Sequence, residues 1–403
     1  MSTRFAENLL KTAISLIVGV LLSASIVATG KAALPAGALV RPDSLVYQGS
    51  FRVPFAGVLR VEGTDRGFDY GGSAPAFNPA NGSLFLVSHV YDQQTAELNI
   101  PQPLGTGALN AWPLATVRTP FVDALEGHLL EAAAGQGDKT SMIGGQLVYN
   151  GQLYVTPYVY YGDTAVKSHW RRTPSGALQG PFAVGPLGAD FYSGYMGLVP
   201  QEWQSALGGP VLNGQCCLSI ISRTSYGPSV SALDPEQLGS ATLRASTLLA
   251  YPSSHKTLGD WGTPGPNISF NGASQIKGVV FPVGTSSVLF FGRHGLGPYC
   301  YGEGSVCGDP EDENKGDHAY PYAYYVWAYD AHDLAAVHAG TKQPWDVRPY
   351  AVWPLSLPVP SRIHRLGGVA YDPGTGRLFI SQQYADGDSG DYPVIHVYAF
   401  VLK

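Results

Sequence analysis

Leu84-Phe85-Leu86-Val87-Ser88-His89 is a run of strand formers that closes on a small residue and opens into a loop with a ring side chain at its start. Four more runs share this order: Leu153-Tyr154-Val155-Thr156-Pro157-Tyr158, Leu218-Ser219-Ile220-Ile221-Ser222-Arg223, Val288-Leu289-Phe290-Phe291-Gly292-Arg293 and Leu378-Phe379-Ile380-Ser381-Gln382. Their small residues stand at 88, 156, 222, 292 and 381, so the successive intervals are 68, 66, 70 and 89 residues. The last interval is long because it holds an insertion at about 299–322. A fixed pitch of this size marks a repeat architecture, in which one supersecondary unit packs on copies of itself.

The residues around each run repeat as well. Gly71-Gly72, Gly144-Gly145, Gly278 and Gly367-Gly368 each lead into an apolar strand. The third unit is looser, with Tyr195-Met196-Gly197-Leu198 followed by a short helix expected at 200–207. Two hairpin turns are nearly written out, Asn78-Pro79-Ala80-Asn81-Gly82 and Asp372-Pro373-Gly374-Thr375-Gly376. Asn or Asp before Pro starts such a turn, and the later Gly supplies positive φ. Third strands are expected at 96–100, 166–171, 229–233, 324–329 and 394–402, and weaker fourth strands at 114–119, 182–184, 247–251 and 350–355. The fifth unit runs out of chain before its fourth strand, while the N-terminal side has a spare one at 44–53. Pairing that strand into the last unit removes exposed sheet edges.

This pattern resembles the five-bladed β-propeller superfamily over residues 33–403, though it matches no individual propeller family's signature. The expected fold is therefore all-β: one propeller domain of five blades, closed by the N-terminal strand in the C-terminal blade, with the insertion in blade 4. A seven-bladed reading suits the length but not the spacing, because no sixth or seventh run aligns. Helix is expected only at 200–207 and 330–338.

Residues 1–32 read as a signal peptide. Arg4 and Lys11 give a basic start, 12–28 is apolar, and Gly30 and Ala32 fit the small-x-small cleavage rule, placing the cut after Ala32. An uncleaved anchor helix is the competing reading. The expected location is periplasmic or secreted, with no membrane association after cleavage. Four cysteines suit export. Cys300 and Cys307 bracket a short loop in the insertion and are expected to be bonded, which contributes roughly 2.5 kcal/mol in the chain-entropy model. Cys216 and Cys217 are adjacent, either two thiols on opposite faces of a strand or a disulfide between neighbours. Charged residues are only 13% of the chain, Gly and Pro number 50 and 31, and 24 residues are Tyr. With 45% hydrophobic content this means tight turns between aromatic-rich strands rather than disorder. A net charge of −6 argues against nucleic-acid binding. The expected partner is a glycan or another extracellular ligand, held by a monomer.

The propeller resemblance implies that ligands sit on the face built by the loops entering each innermost strand and those joining second to third strands. On this chain those loops carry Tyr91, Tyr160, Tyr161, Tyr226, Tyr299 and Tyr384, and the basic residues His89, Arg223, Lys277, Arg293, His294, Arg362, His364 and Arg365. Tyrosine offers flat apolar area with a hydroxyl at one end, which suits sugar rings. Arginine offers a planar fork for carboxylate or sulfate. Together they suit an anionic polysaccharide, unless the cations pair instead with Asp69, Asp92, Asp163, Asp386 or Asp388 of the same face.

Four chemistries fit these residues. A polysaccharide lyase needs a carboxylate neutraliser (Arg223 or Arg293), a base (His294, His89 or His364) and an acid (Tyr226, Tyr160 or Tyr384). Lys277, Arg362, Tyr91, Tyr160, Tyr161, Tyr299 and Tyr384 would then hold substrate. A glycoside hydrolase needs two carboxyls, for which Asp69, Asp190 and Glu202 are candidates. A metal centre at His89, His294 and His364 has no ligand spacing behind it, so no metal and no cofactor are expected. The acidic run Glu311-Asp312-Glu313, with Asp309 and Asp317, reads as a solvated charge run. The fourth possibility is a non-catalytic glycan- or protein-binding propeller with the insertion as recognition loop or lid.

Overall fold

The computed structural model describes residues 36–55, 67–129, 141–159, 167–215, 225–263, 265, 269–387 and 391–402. The expected signal segment, the phrase Leu218–Arg223, Cys216, Cys217, Tyr160, Tyr161, Asp163, Arg223 and Asp388 lie outside the described residues.

Five four-stranded antiparallel sheets form a five-bladed β-propeller. Blade 1 is Ser73–Asn78, Ser83–Val87, Thr95–Asn99 and Thr116–Val122, from the innermost strand outward. Blade 2 is Ser141–Tyr149, Gln152–Val159, His169–Arg172 and Leu178–Phe182. Blade 3 is Met196–Leu198, Val211–Asn213, Val230–Leu233 and Ser246–Leu249. Blade 4 is Gln275–Val280, Ser287–Gly295, Tyr322–Asp330 and Ala351–Pro354. Blade 5 is Leu366–Asp372, Arg377–Asp386 and Tyr392–Phe400, completed by Leu45–Arg52, which pairs with Tyr392–Phe400 through Leu45↔Phe400 to Arg52↔Val394. The two expected helices form at Gln201–Leu207 and Ala331–His338.

One strand differs from expectation. The second strand of blade 3 is Val211–Asn213, ahead of the phrase at 218–223 that was expected to fill that place. Gln201–Leu207 takes up the connection after Met196–Leu198, and Val211–Asn213 follows it directly as a buried three-residue strand.

The repeated phrase has a packing reason. In blades 2 and 5 its small terminal residue touches the entry of the next blade. Thr156 Oγ1 donates to the Gly194 carbonyl at 2.7 Å, from blade 2 to blade 3, and Ser381 Oγ donates to the Gly72 carbonyl at 2.6 Å, from blade 5 to blade 1. A larger side chain would leave no room for this stitch. The Gly-rich entries follow from the same crowding, since a Cβ at Gly367 would collide with the Gly72 carbonyl and one at Gly145 with the Gly194 carbonyl. Between blades, apolar side chains alternate along each strand and fill the wedge, as with Leu289, Phe291 and Val326 of blade 4 against Leu378 and Ile380 of blade 5.

Candidate functional site

A cavity of about 470 Å3 opens at the end of the central channel where the entry loops and the second-to-third loops meet. All five blades contribute to its wall. The other end of the channel is closed down to about 50 Å3 by apolar inner-strand residues such as Val148, Leu198 and Val280.

Four cations line the larger cavity: Lys277, Arg293, Lys315 and Arg365. Lys277 is placed by a β-bulge. The pairing of Gln275–Val280 with Ser287–Gly295 slips between Ile276 and Gly278, leaving Lys277 as the extra residue. Bulges of this kind re-aim a side chain, and they are enriched beside active sites. The same slip occurs in blade 2 at Gly144 and in blade 5 at Gly367, where the residue is a glycine. Burial, then the charges of Arg365 and Arg293, pull the Lys277 ammonium down to about 8.

Arg293 comes from the second strand of blade 4, opposite Gln275 and Tyr324. It is 3% exposed. Its guanidinium lies 4.2 Å from the Tyr322 ring centroid, and its Nε and Nη1 have no hydrogen-bond partner among the described residues. Burial and Arg365 hold its pKa below the ordinary arginine value, opposed by Tyr322, Asp312 and Glu311. Arg365 is held loosely by Asp312 at 3.7 Å.

Tyr70, Tyr158, Tyr195 and Tyr384 add rings to the wall. The Tyr195 hydroxyl is committed to the Ser229 carbonyl at 2.8 Å. Among the described residues the Tyr158 hydroxyl donates to the Met142 thioether at 3.2 Å, a weak acceptor. Burial raises the Tyr158 phenol above its usual value, so it stays protonated. Glutamines complete the lining, and two of them also join blades: Gln93 accepts from Ile143 N at 2.7 Å, and Gln383 donates to the Gly71 carbonyl at 2.7 Å.

The insertion supplies the remaining wall through residues 312, 314–318. Cys300–Gly302 pairs with Gly316–His318, and Cys300 is disulfide-bonded to Cys307 as expected. The acidic run is not a solvated face. Asp309 accepts from Tyr322 Oη at 2.6 Å and pairs with His318 at 2.8 Å. Glu311 takes the backbone N and Nδ1 of His364 at 2.7 and 2.8 Å. Asp317 accepts from the Tyr299 hydroxyl and from Trp261 Nε1 at 3.3 Å. Glu311 thus ties the insertion to the entry loop of blade 5 and Asp317 ties it to Trp261 on the loop before blade 4, while Asp309 braces it internally through His318.

Of the residues expected at the site, Arg293, Lys277 and Tyr384 line the cavity. His294 does not. It is adjacent to Arg293 on a strand, so it points to the opposite face, where it packs on Tyr325 and Trp327 and bonds Ser274 at 2.7 Å. Burial pulls it down to about 4. His89 sits between Tyr70 and Tyr91 and accepts the Tyr91 N–H. His364 is paired with Glu311. Tyr226 packs on Trp261 at 4.3 Å, in the wedge between blades 3 and 4. Tyr91 is 76% exposed at the rim. Tyr299 is tied to Asp317 in the insertion. Arg362 is held bidentately by Asp391 at 2.9 and 2.8 Å and lines a neighbouring cleft. Among the hydrolase candidates, Asp69 accepts from Asp391 N, Asp190 lies on the short helix Ala189–Phe191, where burial raises it to about 7, and Glu202 is exposed on Gln201–Leu207. Among the described residues no three His, Cys, Asp or Glu side chains group as metal ligands. Sequence reasoning under-weighted Lys277 and Tyr158. The signal for Lys277 was present: the Gly-Gly entry of blades 2 and 5 reads Lys277-Gly278 in blade 4.

No protein-family model matches the chain, and no curated protein matches it. Similar solved structures include one from the GH130 family of mannoside phosphorylases, which contains glycoside hydrolases that target beta-1,2 mannosidic linkages in Candida mannan. It is 9% identical, covers 88% of this chain and 94% of its own, and has a TM-score of 0.45. A glycosyl hydrolase from Bacteroides ovatus is 11% identical over 91% of this chain and 97% of its own, at a TM-score of 0.42. A Cellvibrio cellulosa alpha-L-arabinanase mutant is 10% identical over 82% and 91%, at 0.41. Likeness this distant carries no inference about chemistry.

Proposed function

We propose that this protein is a carbohydrate-active propeller that binds the carboxylate of an acidic saccharide in its central cavity and cleaves the chain by β-elimination. The observation that carries the reading is Arg293, a buried guanidinium with two nitrogens unpartnered among the described residues, in the same cavity as Lys277 and Arg365. Buried donors left unmet are costly. A planar anion that accepts from the guanidinium removes that cost and gains charge-assisted bonds.

In the reaction, Arg293 neutralises the uronate carboxylate, which makes the neighbouring C5 proton more acidic. Lys277, with its ammonium lowered to about 8, is part neutral near pH 8 and takes that proton. The C5–H electron pair becomes the C4=C5 double bond. The C4–O4 bond breaks with its pair on oxygen, and Tyr158 gives its proton to that oxygen. No water is consumed, and proton return from Lys277 to Tyr158 through solvent restores both groups.

The test is incubation of the purified protein with a panel of acidic and neutral glycans. New absorbance in the unsaturated-uronate band is the expected result, with a rate that rises through about pH 8. Lys277→Met should lower that rate by about 10²–10⁴-fold. Arg293→Met should abolish it while the Tm is retained. Reducing ends without the absorbance would mean hydrolysis instead. Binding with neither product would mean a non-catalytic propeller.

A further inference from the structure

Beside the central cavity lies a second, more open cleft of about 550 Å3, lined by Asp69, Tyr70, Pro360, Ser361, Arg362, Tyr384, Ala385, Gly387 and Asp391. Tyr70 and Tyr384 are the two residues that line both spaces. Both are held at left-handed backbone angles, φ 51° and φ 55°. For a bulky L-residue that conformation is a genuine outlier, and such strain is retained chiefly where surrounding structure enforces it for a task. Here the surroundings do enforce it. Tyr70 N donates to the Asp391 carbonyl at 3.1 Å, Arg362 N donates to the Tyr384 carbonyl at 3.1 Å, and Arg362 is clamped by Asp391. The rings stand 6.0 Å apart at 65°, with the Arg362 guanidinium 5.3 Å from the Tyr384 ring. Tyr70 remains 39% exposed.

The two spaces differ in charge. The central cavity presents Lys277, Arg293, Arg365 and Lys315 against Asp312 and Asp317. The second cleft presents Asp69 and Asp391 against Arg362 alone, which Asp391 already neutralises. An acidic sugar is repelled there, whereas hydroxyls can donate to the carboxylates and a sugar ring can lie against tyrosine.

We propose that Tyr70 and Tyr384 form an aromatic step between two subsites, so that the ligand is a mixed glycan with an acidic unit in the central cavity and a neutral unit in the second cleft. This rests on the reading of the central cavity as a carboxylate site. The cleft discriminates by charge, and the step discriminates by ring contact.

The experiment is calorimetric titration of the purified protein at pH 6, where Lys277 is protonated and cleavage is suppressed, with three probes: galacturonate, digalacturonate and a disaccharide of one uronate and one neutral hexose. The mixed disaccharide should bind about tenfold more tightly than galacturonate, the size of one good ring contact. Digalacturonate should gain little. In Tyr70→Gly/Tyr384→Gly the ratio of mixed-disaccharide to galacturonate affinity should fall to near one, with a Tm no lower than wild type because glycine tolerates positive φ. Tyr70→Asn/Tyr384→Asn, which also tolerates that angle, should give the same ratio. An unchanged ratio in either variant, or an equal gain for digalacturonate, overturns the two-subsite proposal. Absence of galacturonate binding by the wild-type chain overturns the central carboxylate site itself, and the proposal with it.

Discussion

Lys277 carries a charge where its surroundings oppose one. Its folded value of about 8 lies below the ordinary 10.5, so between those values the unfolded chain binds more protons and stability rises with pH. Below about pH 8 the folded protein bears the full cost of a buried cation beside two arginines. Lys277→Met removes that cost. The expected outcome is a higher Tm for the variant at pH 7, a gain that shrinks through pH 9 and vanishes above pH 10.5, read by calorimetry across a pH series. On the proposed reaction the same substitution should lower the rate about 10²–10⁴-fold. A residue that lowers stability while serving chemistry is the usual signature of a site rather than of a scaffold. The sequence contained this residue and its odd place in the Gly-Gly entry. What it did not contain was the direction of the side chain, because a single bulge reverses which face a residue occupies. The neighbouring pair Arg293 and His294 makes the same point, since only one of two adjacent strand residues can face the cavity.

At the scale of the element, blade 1 is organised by a buried acid. Glu97 stands on the third strand and accepts from Asn78 and Asn81 at 2.8 Å each, from Ser83, and from Thr119 at 3.1 Å. Burial alone would raise its carboxyl, but the bonds from Ser83, Asn81, Asn78 and Thr119 hold it below the ordinary 4.5. Its folded value is depressed, so its contribution is present above the unfolded value and is lost as pH falls. Glu97→Gln turns an amide donor toward existing donors and should cost about 1–3 kcal/mol at pH 7. In urea titrations the gap between variant and wild type should close as the pH drops below 4.5. The Asn78-Pro79 hairpin was legible from turn chemistry alone, because the turn type is set locally. The acid that fixes it was not, because Glu97 is brought to the turn by pairing with Phe85 and Thr119 across the sheet. Blade 3 shows the converse. Its phrase at 218–223, outside the described residues, fits the repeat, yet Val211–Asn213 occupies the second-strand place.

For the whole molecule the decisive feature is the shared fifth blade. Arg52 of Leu45–Arg52 bonds Asp386 of Arg377–Asp386 at 2.6 and 3.1 Å, with Asp386 fully buried. Beside it, Ser50 Oγ donates to His396 Nδ1 and His396 Nε2 donates to Gln382 Oε1, both at 2.7 Å. Burial lowers His396 to about 3, which keeps the ring neutral and fixes this tautomer. Asp386→Ala removes the bidentate partner of the mostly buried Arg52 guanidinium and should lower stability by about 3–5 kcal/mol in denaturant unfolding, while Arg52→Leu/Asp386→Leu should recover much of the loss. An equal loss in both variants would mean that the packing of the strand, and not the ion pair, secures the closure. Among the described residues no helix is long and apolar enough to cross a membrane.

The repeat pitch, the Gly-rich entries, the hairpin turns and the spare N-terminal strand were enough, unaided, to define five blades and the way the last is completed. Those features are local or periodic, and hydrogen-bond pairing and side-chain alternation translate them directly into sheets. Which of the basic and ring residues share a cavity was decided only by the tertiary structure. Strand register, one bulged lysine and two tyrosines at left-handed angles set those directions, and they arise from packing between segments far apart in the chain.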